Sequence, residues 1–90
     1  MGRQNPLRNL LNRLVWDANL LPDDYVIVYI SRGAPGDLEE VRGSAIVKVW
    51  ARGFEIKAGN KTKYIPFHRI VEIKNIKTGE VLFRSPRYRL

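Results

Sequence analysis

Leu7, Leu10, Leu11 and Leu14 recur at helical spacing near the start of the chain. At about 100° per residue they fall within an arc roughly 100° wide. Arg8, Asn9, Asn12 and Arg13 face away from that arc. The pattern predicts an N-terminal helix that packs on a core by its leucines. Asn5 is positioned to cap it, and Pro6 takes the first helical position, where a missing N–H costs nothing. Trp16-Asp17 leaves the helix, and Leu21-Pro22-Asp23-Asp24 reads as a turn.

The period then changes. Tyr25 to Ser31 is rich in β-branched and aromatic residues and apolar on both faces, as a central strand requires. Arg32 to Gly43 reads as a loop, punctuated by Gly33, Pro35 and Gly36 and carrying Asp37, Glu39 and Glu40. From there the chain reads as a β-meander, with strands over Ser44 to Trp50, Phe54 to Lys57, Thr62 to Ile65, Arg69 to Ile76 and Val81 to Arg84. Gly59-Asn60 and Lys77-Thr78-Gly79-Glu80 supply turns. Val71 and Ile73 alternate with Glu72 and Lys74, which predicts one buried and one wet face. The expected fold is α+β, an N-terminal helix packed on a small, curved, mainly antiparallel sheet or half-open barrel of five to six short strands. One domain is expected over residues 5–85, with 1–4 and 86–90 as tails.

With 90 residues, 44% hydrophobic and 28% charged, the chain suits one domain with a modest core. The longest uncharged apolar stretch is the seven residues Tyr25 to Ser31, far below the roughly 20 needed to span a membrane. Arg3, Arg8 and Arg13 interrupt the N-terminal apolar positions, unlike a signal peptide. A cytoplasmic protein with no membrane partner is expected. The absence of cysteine excludes disulfides and thiolate metal sites.

Charge sharpens the picture through its distribution. Residues 1–16 carry net +3, residues 17–41 net −5 and residues 42–90 net +9, within a total of +7. Such asymmetry points to a polyanion partner, since Lys and Arg that neutralise phosphates release condensed counterions. A merely solubilising surface is the other reading.

Enzyme chemistry is poorly supplied. His68 is the single histidine, so two-histidine acid/base catalysis is excluded within one chain, and a cysteine nucleophile is impossible. Six of the nine acids lie between Asp17 and Glu40, without metal-ligand spacing to His68. Gly33-Ala34-Pro35-Gly36 matches no phosphate-binding glycine loop. No catalytic residue, metal or cofactor is assigned. The segment Tyr64 to Ile70 holds the densest set of unusual choices, placing Pro66 between apolar residues and then His68 and Arg69 at the mouth of a strand. There His68 can donate to a phosphate or ribose oxygen, and Arg69 can fork onto two phosphate oxygens. The competing reading is a turn in which His68 satisfies a backbone carbonyl and Arg69 pairs with Glu72. Phe54, Phe67 and Phe83 are assigned to the core. Trp16, Tyr25 and Tyr29 are balanced between core and base stacking, because each carries a polar edge.

Three motifs stand in order: Leu11-Asn12-Arg13-Leu14-Val15-Trp16-Asp17, Tyr29-Ile30-Ser31-Arg32-Gly33-Ala34-Pro35-Gly36-Asp37 and Ile65-Pro66-Phe67-His68-Arg69-Ile70. Through them the chain resembles, over about residues 5–85, a family of small archaeal proteins described as the RNA cyclic group end recognition domain. The resemblance implies a domain that recognises RNA ends bearing a 2′,3′-cyclic phosphate. Carried over residue by residue, it implies RNA-binding roles for Trp16, Asp17, Tyr29, Arg32, His68 and Arg69. One departure is Phe83, before Arg84, where a tryptophan is expected in many members. The leading expectation is a non-catalytic RNA-binding module in which Arg32, His68 and Arg69 hold a terminal phosphate and Tyr29 or Trp16 flanks the last base or sugar. The alternatives are an RNA-end phosphoesterase or modifying enzyme using His68 with Asp17 or a partner's residue, and an interaction module docking other RNA-processing proteins.

Overall fold

Leu7, Leu11 and Leu14 are buried along one side of α1 (Pro6–Trp16), with Leu10 partly buried beside them. The computed structural model describes residues 6–86; the expected Asn5 cap lies outside them. Seven strands follow the helix: β1 (Tyr25–Ile30), β2 (Leu38–Arg42), β3 (Ile46–Val49), β4 (Gly53–Ala58), β5 (Lys61–Pro66), β6 (Ile70–Asn75) and β7 (Val81–Arg84). They form two antiparallel sheets, one of four strands in the order β2-β1-β6-β7 and one of three in the order β3-β4-β5.

The α+β class therefore holds, and β1 is a central strand as its apolar pattern requires. The expected five to six strands are seven among the described residues, and they divide between two sheets where one curved sheet was expected; they form no closed barrel. The additional strand is β2, inside the stretch expected to be loop. Its Glu39 and Glu40 read as loop residues, but β2 is an edge, where charge is tolerated and discourages further pairing. The meander also breaks, because β5 and β6 do not pair. At the 3₁₀ turn Phe67–Arg69 the chain leaves the three-stranded sheet, and β6 pairs with β1 instead.

One core joins all the parts. Tyr25, Ile27 and Tyr29 from β1 and Ile70 and Ile73 from β6 meet Phe54 and Ile56 from β4, Ile65 from β5 and the helix leucines. The β1–β6 register shifts so that Val28 faces Glu72 while Tyr29 faces Ile70. Val71 is thus the extra residue of a bulge, and the change of phase brings Ile70 and Ile73, three positions apart, into the same core. The expected wet face at Glu72 is corrected accordingly: Glu72 is 5% exposed. Its carboxylate is covered by Arg84 from β7 and reached by Lys74.

A second 3₁₀ turn, Gly43–Ala45, replaces the start of the strand expected at Ser44 and carries the chain from one sheet to the other. Here the backbone runs so close to Pro22 that a Cβ on Gly43 would lie 2.6 Å from the Pro22 carbonyl oxygen. Arg42 donates to the Asp23 carbonyl at 2.9 Å and Ser44 to its carboxylate at 2.9 Å, tying the crossing to the entrance of β1. Among the described residues no helix is long and apolar enough to cross a membrane.

Candidate nucleic-acid interface

The pattern of Ile65 to Ile70 explains its geometry. Ile65, Phe67 and Ile70 are buried, whereas His68 and Arg69 are exposed. Phe67 anchors the turn by stacking on Phe54, with ring centroids 6.4 Å apart and planes at 16°. Its amide donates to the Arg52 carbonyl at 2.9 Å. Pro66, at φ −63°, holds the approach extended. An imidazole and a guanidinium are thus presented to solvent from a backbone clamped on both sides. His68 also lines a cavity of about 240 Å³ whose other walls include Leu7, Phe67, Ile70 and Phe83, with Ser85 and Pro86 at its margin.

Arg32 belongs to the same end of the molecule. Because Tyr29 pairs with Ile70, the loop following β1 and the turn preceding β6 emerge side by side from the four-stranded sheet. That loop is closed by backbone bonds from Ser31 to Asp37 at 2.8 Å and from Asp37 to Ala34 at 2.8 Å. Gly36 and Asp37 both adopt positive φ, 68° and 57°. None of the ion pairs among the described residues involves Arg32, His68 or Arg69. The pairing of Arg69 with Glu72 envisaged from sequence is not made; Arg84 holds that carboxylate instead.

Behind this end lies a charged staple. The Ser31 hydroxyl donates to Glu39 Oε1, and Lys63 Nζ lies 3.7 Å from the same oxygen. The Ser31 hydrogen bond is the main reason the Glu39 carboxyl sits below the ordinary carboxylate range; desolvation opposes it, and the Lys63 charge assists. Since Glu39 is on β2 and Lys63 on β5, the staple joins an edge of one sheet to an edge of the other. Lys63 also stands over the Tyr29 ring, 5.4 Å from its centroid.

The other sequence candidates separate from this cluster. Tyr29 is 3% exposed, so its ring supports the site from within the core and presents no open face to a base. Tyr25 is a core residue too. Trp16 is 80% exposed, but at the far end of α1. Leu7 lines the His68 cavity, and nine residues at about 1.5 Å each place Trp16 roughly 13 Å further along the axis. Asp17 follows it, accepting from the Asn19 amide at 2.9 Å in a local turn. The chain then leads through Pro22–Asp24 into the opposite end of β1. His68 and Asp17 are therefore not brought together as an acid/base pair.

Phe83 is the cavity residue that sequence reasoning sent wholly to the core. It is only partly buried and faces the cavity beside His68. Pro86, read as tail, lies at the same margin. The one sequence signal for this wall was the unusual Phe83 itself. Among the described residues no group of three or more His, Cys, Asp or Glu is placed to hold a metal ion. What the arrangement offers is two exposed cationic or hydrogen-bonding groups on a clamped turn, a third in the adjacent loop, and an apolar recess beside them. That set can grip a phosphate and shelter the sugar or base attached to it.

Comparison with known proteins agrees with the motif reading. The family model described as MJ1316 RNA cyclic group end recognition domain matches residues 5–84. A UPF0248 protein of Methanococcus vannielii is 44% identical over 79 residues, covering 88% of this chain and 90% of the relative. A UPF0248 protein of Pyrobaculum islandicum is 38% identical over 76 residues, covering 84% of each chain. No solved structure matches the chain significantly. With the family model spanning nearly the whole fold and relatives of this identity in two archaeal genera, the chain belongs to the MJ1316 RNA cyclic group end recognition domain family.

Proposed function

We propose that this protein is a non-catalytic RNA-binding module that takes hold of RNA ends carrying a 2′,3′-cyclic phosphate. His68 and Arg69 contact the cyclic phosphate, Arg32 adds charge from the neighbouring loop, and the cavity walled by Leu7, Phe67, Ile70 and Phe83 receives the terminal sugar or base. RNA is the partner, and no cofactor is needed. The observation that carries this reading is the clamped turn, with Phe67 and Ile70 buried on either side of exposed His68 and Arg69 and His68 on the wall of an apolar cavity. The family description supports the ligand class. The separation of Asp17 from His68 favours binding over hydrolysis.

The test is the double variant His68→Ala/Arg69→Ala against matched oligonucleotides ending in a cyclic phosphate or a free 2′,3′-diol. Charge-assisted contacts are worth about 1.5–3 kcal/mol each in favourable cases. At least a tenfold loss of affinity for the cyclic end is expected, with stability changed by no more than about 0.5 kcal/mol. Equal binding of both ends by the wild type refutes end recognition. Gel analysis of the recovered oligonucleotide separates binder from enzyme, since a binder returns the cyclic phosphate unchanged.

A further inference from the structure

The outer face of the three-stranded sheet carries a second set of groups suited to RNA. Register assigns the two faces of this sheet. Val49, Phe54 and Ile65 form one cross-strand row and point into the core, whereas Lys48, Glu55 and Tyr64 form the adjacent row on the outer face. Trp50, just beyond β3, lies over this outer face, because its indole Nε1 donates to Glu55 Oε1 at 2.7 Å. Trp50 is 42% exposed and Tyr64 51%.

Both aromatics are held in place. Glu55 takes the indole on one oxygen and the Thr62 hydroxyl on the other, at 3.2 Å. Tyr64 lies across Gly53 so closely that a Cβ there would come within 2.4 Å of its ring. Gly53 thus supplies a flat bed that any side chain would fill. The two rings flank the central strand β4, from β3 on one side and β5 on the other. Held rings lose little conformational entropy when a flat ligand stacks on them.

Charge names the ligand. Residues 46–66 contain five bases, Lys48, Arg52, Lys57, Lys61 and Lys63, and a single acid, Glu55. That acid is already engaged by Trp50 and Thr62. Of the five, only Lys63 is ion-paired among the described residues. Lys48 Nζ stands 4.0 Å above the Trp50 ring centroid, so a cation covers one face of the indole and its charge sits at the aromatic group itself. Exposed, immobilised aromatics among unneutralised cations are the combination that binds single-stranded nucleic acid, with rings taking bases and lysines taking the backbone.

We infer that Trp50 and Tyr64 form a stacking platform for the single-stranded RNA leading to the bound end, with Lys48 and Lys57 neutralising its phosphates. The inference rests on the RNA-binding reading above and extends it from the terminal group to the strand behind it. It makes affinity depend on RNA length as well as on the end.

The experiment uses the full chain with Trp16→Phe, which leaves Trp50 as the single tryptophan. A uridylate decamer and a uridylate dinucleotide, both ending in a cyclic phosphate, are titrated in parallel. The decamer should quench Trp50 fluorescence. Trp50→Leu/Tyr64→Leu, made with Trp16 intact, should lower decamer affinity at least tenfold and leave the dinucleotide unchanged, and Trp50→Phe/Tyr64→Phe should restore most of the loss. Lys48→Gln/Lys57→Gln, which alters only exposed ends, should reduce the logarithmic salt slope for the decamer by about 1.4, at about 0.7 per phosphate contact. This second variant stands as a test even if the leucine pair folds poorly. Unchanged decamer affinity in the leucine pair, or an unchanged salt slope in the glutamine pair, overturns the platform. If the decamer still responds to His68→Ala/Arg69→Ala, the end site survives and the platform alone is lost. If the wild type binds neither oligonucleotide, both readings fall together.

Discussion

Arg84 binds Glu72 side-on across β6 and β7, its Nε and Nη2 donating to the same carboxylate oxygen at 3.0 and 2.8 Å. The Glu72 side chain is only 6% exposed while that of Arg84 is 59% exposed. The arginine therefore serves as a lid on a carboxylate that the sheet has largely removed from water. Arg84→Ala should destabilise the fold by about 1–3 kcal/mol, because it leaves a buried acceptor with only Lys74 at 3.9 Å. Glu72→Leu/Arg84→Met should recover most of the loss, since an apolar pair of similar volume avoids the desolvation penalty. Urea unfolding of the single and double variants measures both values.

The staple of Ser31, Glu39 and Lys63 makes a pH-dependent contribution of definite sign. The folded Glu39 carboxyl lies below its ordinary value of 4.5, chiefly through the Ser31 hydroxyl. The folded state thus binds fewer protons than the unfolded chain in the window just below that value, and stability rises with pH there. The contribution is present above 4.5 and is lost as pH falls through the lower folded value. Ser31→Ala should lower the urea midpoint at pH 7, and the difference from wild type should shrink on acidification. A difference that grows towards low pH would contradict this assignment.

Gly43 stands where two backbones nearly touch. Gly43→Ala would force its methyl against the Pro22 carbonyl oxygen, at 2.6 Å in the unrelaxed geometry, and neither partner is a flexible side-chain end. A loss of about 1–3 kcal/mol is expected, read as a lower melting temperature. Gly59→Ala offers a contrast, since nothing lies within 4 Å and only its φ of 64° resists substitution.

RNA binding should weaken steeply with salt. If roughly four phosphates are contacted, a slope of about −0.7 per phosphate predicts about a 50-fold loss between roughly 50 and 200 mM salt. A flat titration would refute phosphate-led binding. DNA of the same sequence provides the control, because discrimination through the 2′-hydroxyl is expected of an RNA reader.

Local patterns were the legible part of this fold. The leucine spacing located α1, and the β-branched run located β1, because each signal lies within its own element. β2 escaped because an edge strand needs few apolar residues, and Leu38 and Val41 were outweighed by Glu39 and Glu40. The site divides in the same way. Ile65 to Ile70 announced itself through the juxtaposition of Pro66, Phe67, His68 and Arg69, and the structure builds that segment as one turn. The distance of Trp16 and Asp17 from that turn depends on helix direction and strand order, which residue types do not encode locally. The burial of Tyr29 depends on which face of β1 meets the core, and a strand apolar on both faces hides that choice. Trp50 and Tyr64 came to share one face only through the register that sets Glu55 opposite Tyr64.

The turn Phe67–Arg69 is one of two 3₁₀ links by which the chain passes between its sheets, and it is the one that bears the proposed ligand groups. Phe67 is seated with Phe54 in one sheet, and Ile70 begins pairing with Tyr29 in the other. A ligand gripped by His68 and Arg69 would therefore be released whenever either sheet opened at this seam. Occupancy at 100 times the dissociation constant would add about 2.7 kcal/mol to the folded state. That increment would appear as slower amide exchange in β1, β4, β5 and β6 together, so that a ligand touching one short turn would make two sheets exchange as a single cooperative unit.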